Sequence, residues 1–336
     1  MANSITDKIY DSRVDTLRLI SILAVVLIHT TTRELEITHY DLLKQSFTLF
    51  LNQASRFAVP LFFLISGFVL ELSYRDKVIV KDLPLYFKKR LNRIFIPYIF
   101  WSVIYYYFIY TNHNVTIFQA FLTGNASYQL YFIPSLFIFY LIYPILHDFY
   151  KVISNKWILI FLFIIEIYLL NFDYQYHLLP FSYPISVVIL NYFVFVLGMV
   201  ASRNREKITE FVKNWRLEFL ILIPIFAYII FNEGKTNYLK TYNYLAFYSQ
   251  WRPSILIYTI ILALALYYFL KYFDFKIIRE LSKLSFFIFF VHIIILELVW
   301  KYVYINDFLF FATVVTLSTA IGYVVHKIPY LSKLTG

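Results

Sequence analysis

Apolar runs of about 16–22 residues, broken by short charged clusters, organise this chain from end to end, each long enough as a helix to cross a hydrocarbon core about 30 Å thick. The pattern predicts about ten spans: 15–32, 53–72, 93–110, 130–147, 156–171, 184–201, 217–232, 253–271, 284–301 and 306–326. The expected architecture is an all-α, polytopic transmembrane helix bundle. No connection exceeds about 20 residues, too short for a separate globular domain, so residues 1–336 read as one transmembrane domain. No convincing internal repeat stands out.

Alternate connections differ sharply in Lys and Arg. One set carries Arg75, Lys77, Lys81, Lys88, Lys89, Arg90 and Arg93; then Lys151 and Lys156; then Arg203, Arg205, Lys207, Lys213 and Arg216; then Lys271, Lys276, Arg279 and Lys283. The other carries Arg33 and Lys44, none in 111–129 or 172–183, then Lys235, Lys240, Arg252 and Lys301. The positive-inside rule makes the first set cytoplasmic, which gives an even number of spans and two cytoplasmic termini.

Composition agrees: 61% of residues are hydrophobic and 15% charged, with a mean hydropathy of +0.67. The net charge of +10 is accounted for by the cytoplasmic loops, which removes nucleic acid as its explanation. Asp15 and Arg18 in the first run, and no small-residue cleavage site after it, argue against a signal peptide. The chain has no cysteine, hence no disulfide, thiolate nucleophile or Cys-ligated metal. The histidines lack metal-ligand spacing, and no metal is indicated. Tyr-rich segments at 105–108 and 238–251 fit interfacial aromatic belts, although the second could stack on sugar rings. Asn114-Val-Thr116 and Asn125-Ala-Ser127 match the short glycosylation pattern.

Polar residues inside the spans carry the functional information, because each costs a few kcal/mol near the bilayer centre. In span one, Arg18 and His29 lie eleven residues apart, or about 20° modulo a turn and about 16 Å along the axis. Asp15, Ser21 and Thr32 fall within about 60° of that line. One helix face thus carries a fixed cation at one end and a titratable imidazole at the other. Read alone, Arg18 could snorkel to one interface and His29 could sit among headgroups at the other. Span two places Arg56 near the depth of His29, with a kink expected at Pro60 and close packing at Ser66-Gly67. Arg90 and Arg93 share a face at the mouth of span three, beside Lys88 and Lys89, a placement suited to phosphate groups. Glu71 is expected to pair with a local cation. Glu166 and Glu297 are intramembrane carboxylates without an evident role, and Glu297 lies about 140° around its helix from His292. His39, His113, His147, His177 and His326 fall in loops or at span ends and read as solvated.

The Arg-(ten residues)-His spacing of span one, "VPLFFLISGFVL" in span two and Arg-x-x-Arg before "IFIPY" together resemble the acyltransferase 3 family. "LSKLSFFIFFVHIIIL" (281–296) is similar to the family's late Ser-to-His segment, with His292 at the histidine. "YQLYFIPSLF" (128–137) resembles a further family segment loosely and lacks its tryptophan. The resemblance spans essentially the whole chain. It implies a multi-pass enzyme of the bacterial plasma (inner) membrane that moves an acyl group, usually acetyl, from cytoplasmic acetyl-CoA to a hydroxyl of an extracytoplasmic glycan or cell-surface polysaccharide. His29 is then the general base or a transient acyl carrier, with Arg18 and Asp15 completing the catalytic stripe. Arg90, Arg93, Lys89 and Arg18 would hold the CoA, and Arg56, Ser66, His292 and Glu297 would face the acceptor. Acyl-CoA, the glycan acceptor and membrane lipids are the implied partners. The alternative from another class is a glycan or lipid-linked sugar flippase or exporter without acyl transfer.

Overall fold

A computed structural model describes residues 11–37, 42–110, 114–176, 184–241, 250–302 and 307–334, and among these residues there is no strand. The helices are α1 (Ser12–Ile37), α2 (Leu42–Ala54), α3 (Ala58–Tyr74), α4 (Leu83–Arg90), α5 (Ile96–Ile104), α6 (Ile117–Thr123), α7 (Phe132–Asp148), α8 (Tyr150–Ile153), α9 (Lys156–Tyr176), α10 (Pro184–Ile189), α11 (Tyr192–Arg203), α12 (Arg205–Asn214), α13 (Arg216–Thr241), α14 (Pro253–Phe269), α15 (Lys276–Lys283), α16 (Ser285–Tyr302) and α17 (Asp307–Lys327). Among the described residues, each expected span is largely helical. Seven helical stretches are long and apolar enough to cross a membrane, two shorter apolar helices accompany them, and the chain is an all-α polytopic bundle.

Three of the expected spans are interrupted, each for a local reason. Span two breaks at 55–57, where α2 ends and α3 begins. Pro60 has no N–H for the Arg56 carbonyl and its ring crowds that group, so the chain turns at Arg56 and resumes as helix. Span three widens into a π-turn at Leu91–Phe95, closed by the Ile96 N–H on the Leu91 carbonyl. Pro97 stands four residues after Arg93 and removes the ordinary bond there, so Arg93 sits on the bulge. The expected span at 184–201 splits into α10 and α11, leaving the first N–H groups of α11 without intrahelical partners. Glu166 supplies the acceptor: its Oε2 receives the Phe193 N–H at 2.6 Å, with only 2% of the residue exposed. This intramembrane carboxylate serves as a helix cap.

The tightest helix contact joins α3 to α11. A Cβ added at Gly67 would collide with the Phe195 carbonyl, and one at Gly198 with the Leu64 carbonyl, so glycine on both helices lets the two backbones touch. Beside α3, α1 packs as the central helix, bordered also by α2, α14, α15, α16 and α17. Its N-terminal end is anchored at Asp11, whose carboxylate takes two bonds of 2.7 Å from the Arg13 guanidinium and one of 2.6 Å from the Tyr267 hydroxyl. Burial alone would push the Asp11 carboxyl up, but these donors outweigh it and hold it below the usual carboxylate range. α9, α13 and α17 are mostly exposed and form the periphery.

Gly67→Ala or Gly198→Ala should force α3 and α11 apart and cost about 1–3 kcal/mol, seen as a lower Tm in detergent. Gly234→Ala, whose new methyl meets the flexible Gln53 side chain, should be milder. Wild-type Tm for Gly67→Ala and Gly198→Ala would contradict the close packing.

Candidate functional site

The two ends of α1 carry two distinct polar sites, separated by apolar residues. At the N-terminal end, Arg18 Nη1 pairs with Asp15 Oδ1 at 3.2 Å, one turn away, and the Ser282 hydroxyl approaches the same carboxylate at 3.4 Å. The charge of Arg93 reaches Arg18, and Arg18, Arg90 and Arg93 all act on the Tyr140 hydroxyl. Arg90 is held rigidly: its guanidinium lies 3.9 Å from the ring centre of Tyr86 and 4.8 Å from that of Tyr74, and it donates to the Tyr74 hydroxyl at 2.7 Å. Such stacking fixes the guanidinium plane while leaving donors free. Arg93 is exposed and makes no ion pair among the described residues. Lys89 is exposed on α4. Three guanidinium groups, Arg18, Arg90 and Arg93, thus gather around the Tyr140 hydroxyl, with Asp15 paired to Arg18, a concentration of positive charge of the kind that suits an anion.

Ser66, expected beside the acceptor, lies at this end instead. Its hydroxyl donates to the Phe62 carbonyl at 2.8 Å and neighbours Tyr140, ten residues along the chain from Arg56.

Between the ends, Ile22 and Val25 are buried, and the rings of Phe63, Phe132, Phe139 and Phe289 pack in succession across α3, α7 and α16. At the C-terminal end of α1, His29 faces into the protein. Its ring centre is 5.3 Å from that of His292 on α16 and 5.0 Å from that of Tyr128, whose side is open. His292 is fully buried, with Nδ1 2.9 Å from the Ile288 carbonyl. Arg56 acts on both His29 and Tyr131. One turn beyond His29, Arg33 meets Glu297 at 3.4 Å, so Glu297 reaches α1 despite its angle from His292.

Sequence reasoning missed the network that supports Arg56. Asn52 Oδ1 accepts from Arg56 at 2.7 and 3.2 Å, while Asn52 Nδ2 donates to the Ile28 carbonyl and the Thr31 and Thr32 hydroxyls at 2.9–3.1 Å. Next to it, Gln53 Oε1 accepts from Arg252 at 2.6 Å, and Arg252, only 1% exposed, faces Glu233 at 3.4 Å. Asn52 falls one residue before the expected start of span two and Arg252 just before span eight, outside the apolar runs.

Four other expectations meet the structure. Glu71 does pair with a cation, Arg203, and is fully buried. His147, expected to be solvated, is instead buried: its Nδ1 lies 3.0 Å from Glu71, which also receives the Tyr143 hydroxyl at 3.0 Å. The apolar positions around it hid a partner 76 residues away. Tyr105, read as part of an aromatic belt, is also buried and donates to the Phe290 carbonyl at 2.7 Å. Thr116 of one glycosylation pattern serves as the N-cap of α6, in a capping box with Gln119. His39, His113, His177 and most of the 238–251 segment lie outside the described residues. Among the described residues no group of His, Asp or Glu side chains could hold a metal ion.

Comparison with known proteins adds the following. A family model described as an acyltransferase domain matches residues 11–327. A Staphylococcus epidermidis protein named "Probable poly-beta-1,6-N-acetyl-D-glucosamine export protein" is 25% identical over 289 residues, covering 79% of this chain and 77% of the relative. A Staphylococcus aureus protein of the same name is 25% identical over 295 residues, covering 84% and 81%. No solved structure matches.

Glu71→Ala should cost about 3–5 kcal/mol, because it strands the Arg203 charge and leaves His147 and Tyr143 without their buried acceptor. Glu297→Ala, which breaks a pair about one-third exposed, should cost at most about 1 kcal/mol. Thermal unfolding of both variants in detergent checks the contrast, and equal losses would contradict it.

Proposed function

This chain belongs to the acyltransferase domain family, and on that premise we propose that it carries an acyl group from acyl-CoA at the Arg18 end of α1 to a hydroxyl of an extracytoplasmic polysaccharide at the His29 end. The observation that carries this reading is the inward aim of His29, against His292 and Tyr128, on the same helix that presents Arg18 to Arg93 and Tyr140. Acetyl is the acyl group that the motif resemblance implies. The polysaccharide named for the Staphylococcus relatives supports a glycan acceptor.

The chemistry follows from the residues. Arg90 and Arg93, with Lys89 at the rim, bind the CoA phosphates, and Arg18, held by Asp15, orients the arm that carries the thioester. A sugar hydroxyl becomes nucleophilic as a base removes its proton, and a neutral imidazole is suited to that step near pH 7. The hydroxyl oxygen attacks the thioester carbonyl while its proton passes to a ring nitrogen of His29. The new C–O bond forms, the C–S bond breaks, and His29 returns the proton to the thiolate, releasing CoA and the ester. Arg56, fixed by Asn52, and the open Tyr128 ring contact the acceptor. Residues 1–336 act as a single domain in the bacterial plasma membrane, with both termini cytoplasmic as the Lys and Arg distribution requires.

Purified protein supplied with labelled acetyl-CoA and an oligosaccharide acceptor should produce labelled ester, and His29→Ala should lower the rate about 10²–10⁴-fold. Arg90→Ala with Arg93→Ala should raise the KM for acetyl-CoA and remove the thermal stabilisation that CoA gives the wild type. Full transfer by His29→Ala would overturn the proposal. So would polysaccharide movement with no dependence on acyl-CoA.

A further inference from the structure

His292 offers one nitrogen more than its packing uses. A carbonyl only accepts hydrogen bonds, so the 2.9 Å contact with the Ile288 carbonyl fixes the proton of His292 on Nδ1. In the neutral ring Nε2 is then a bare acceptor. It is buried, and no hydrogen-bond donor reaches it among the described residues. A cationic ring would leave an N–H donor stranded at the same place, which costs more. Burying an acceptor without a partner costs about 1–3 kcal/mol, so a histidine kept there in preference to an apolar residue needs another reason.

The neighbouring polar ring is His29, with centres 5.3 Å apart and planes inclined at 35°. Two imidazoles joined by an N–H···N bond of about 2.9 Å have centres about 5 Å apart when the bond points along the line between them. The observed separation is close to that of such a bonded pair. Ile288 and His292 lie one turn apart within α16, so the carbonyl that sets the tautomer is part of a rigid helix.

Building on the acyl-transfer reading above, we propose that His292 is a positioning residue for His29: its Nε2 accepts the N–H of one His29 nitrogen and so leaves the other nitrogen bare for the acceptor hydroxyl. A neutral imidazole thus takes the place that a carboxylate holds in other base–orienter pairs. When the hydroxyl proton arrives on His29, the resulting imidazolium keeps its bond to Nε2. The same proton leaves for the thiolate as the C–S bond breaks, and His292 is neutral before and after.

Three substitutions test this in the acetyl-CoA assay, with CoA-induced thermal stabilisation as the check on folding. His292→Leu should lower kcat about 100-fold with the KM for acetyl-CoA unchanged. His292→Gln, whose amide oxygen lies near the position of Nε2, should recover activity to within about tenfold of wild type, because it still accepts the His29 proton. His292→Asn, whose amide follows Nδ1 and leaves the Nε2 position empty, should stay low. A histidine that merely fills space would give a Leu variant within about threefold of wild type, and that result overturns the proposal. Equal losses in Gln and Asn, with the CoA shift intact, overturn it as well, and this comparison stands even if His292→Leu fails to fold. An inactive wild type would instead bring down the acyl-transfer reading itself.

Discussion

An ionisable side chain inside a bilayer persists only where the protein supplies it with partners, because hydrocarbon supplies none. α1 bears Asp15, Arg18, His29 and Arg33 along its length, and the surrounding helices meet each of them. α15 brings Ser282 to Asp15, α7 brings Tyr140 towards Arg18, and α16 brings His292 and Glu297 to His29 and Arg33. Packing around that stripe makes α1 central, although its apolar residues alone would suit the periphery as well. The glycine contact between α3 and α11 then keeps the wall on one side of α1 thin and stiff.

The two ends differ in chemistry for reasons visible in local structure. At the N-terminal end the π-turn at Leu91–Phe95 and the tyrosine clamp on Arg90 turn ordinary membrane-anchor cations into fixed donors. At the C-terminal end the turn before Pro60 delivers Arg56 to Asn52, and polar groups come from α1, α2, α14 and α16. The packed rings of Phe63, Phe132, Phe139 and Phe289 form an apolar layer between the ends. An acyl arm is apolar enough to enter such a layer, whereas the CoA phosphates are not, which agrees with a donor that stays on one side.

Much of this was legible in the amino-acid sequence because membrane helices announce themselves by length and apolarity. The stripe of α1 followed from helical angles, the break near Arg56 from Pro60, and the packing at Gly67 from the small residue in an apolar run. What periodicity does not encode is contact between distant segments. Glu166 read as a site candidate because its partner, the free N-terminus of α11, exists only after Leu190-Asn191 interrupts that span. His147 read as solvated because Glu71 and Arg203 lie far from it in sequence. Ser66 stands beside Tyr140, a neighbour that spacing does not reveal, since it places a residue along a helix without saying which side chains stand at that depth.

If α1 links an acyl-donor site on one membrane face to an acceptor site on the other, transfer must cross a sealed bilayer. Proteoliposomes with labelled acetyl-CoA confined outside and the oligosaccharide acceptor trapped inside test it directly, since CoA does not cross lipid. Transfer along α1 gives labelled ester inside the vesicles. Ester that forms only when donor and acceptor share the same compartment would contradict it.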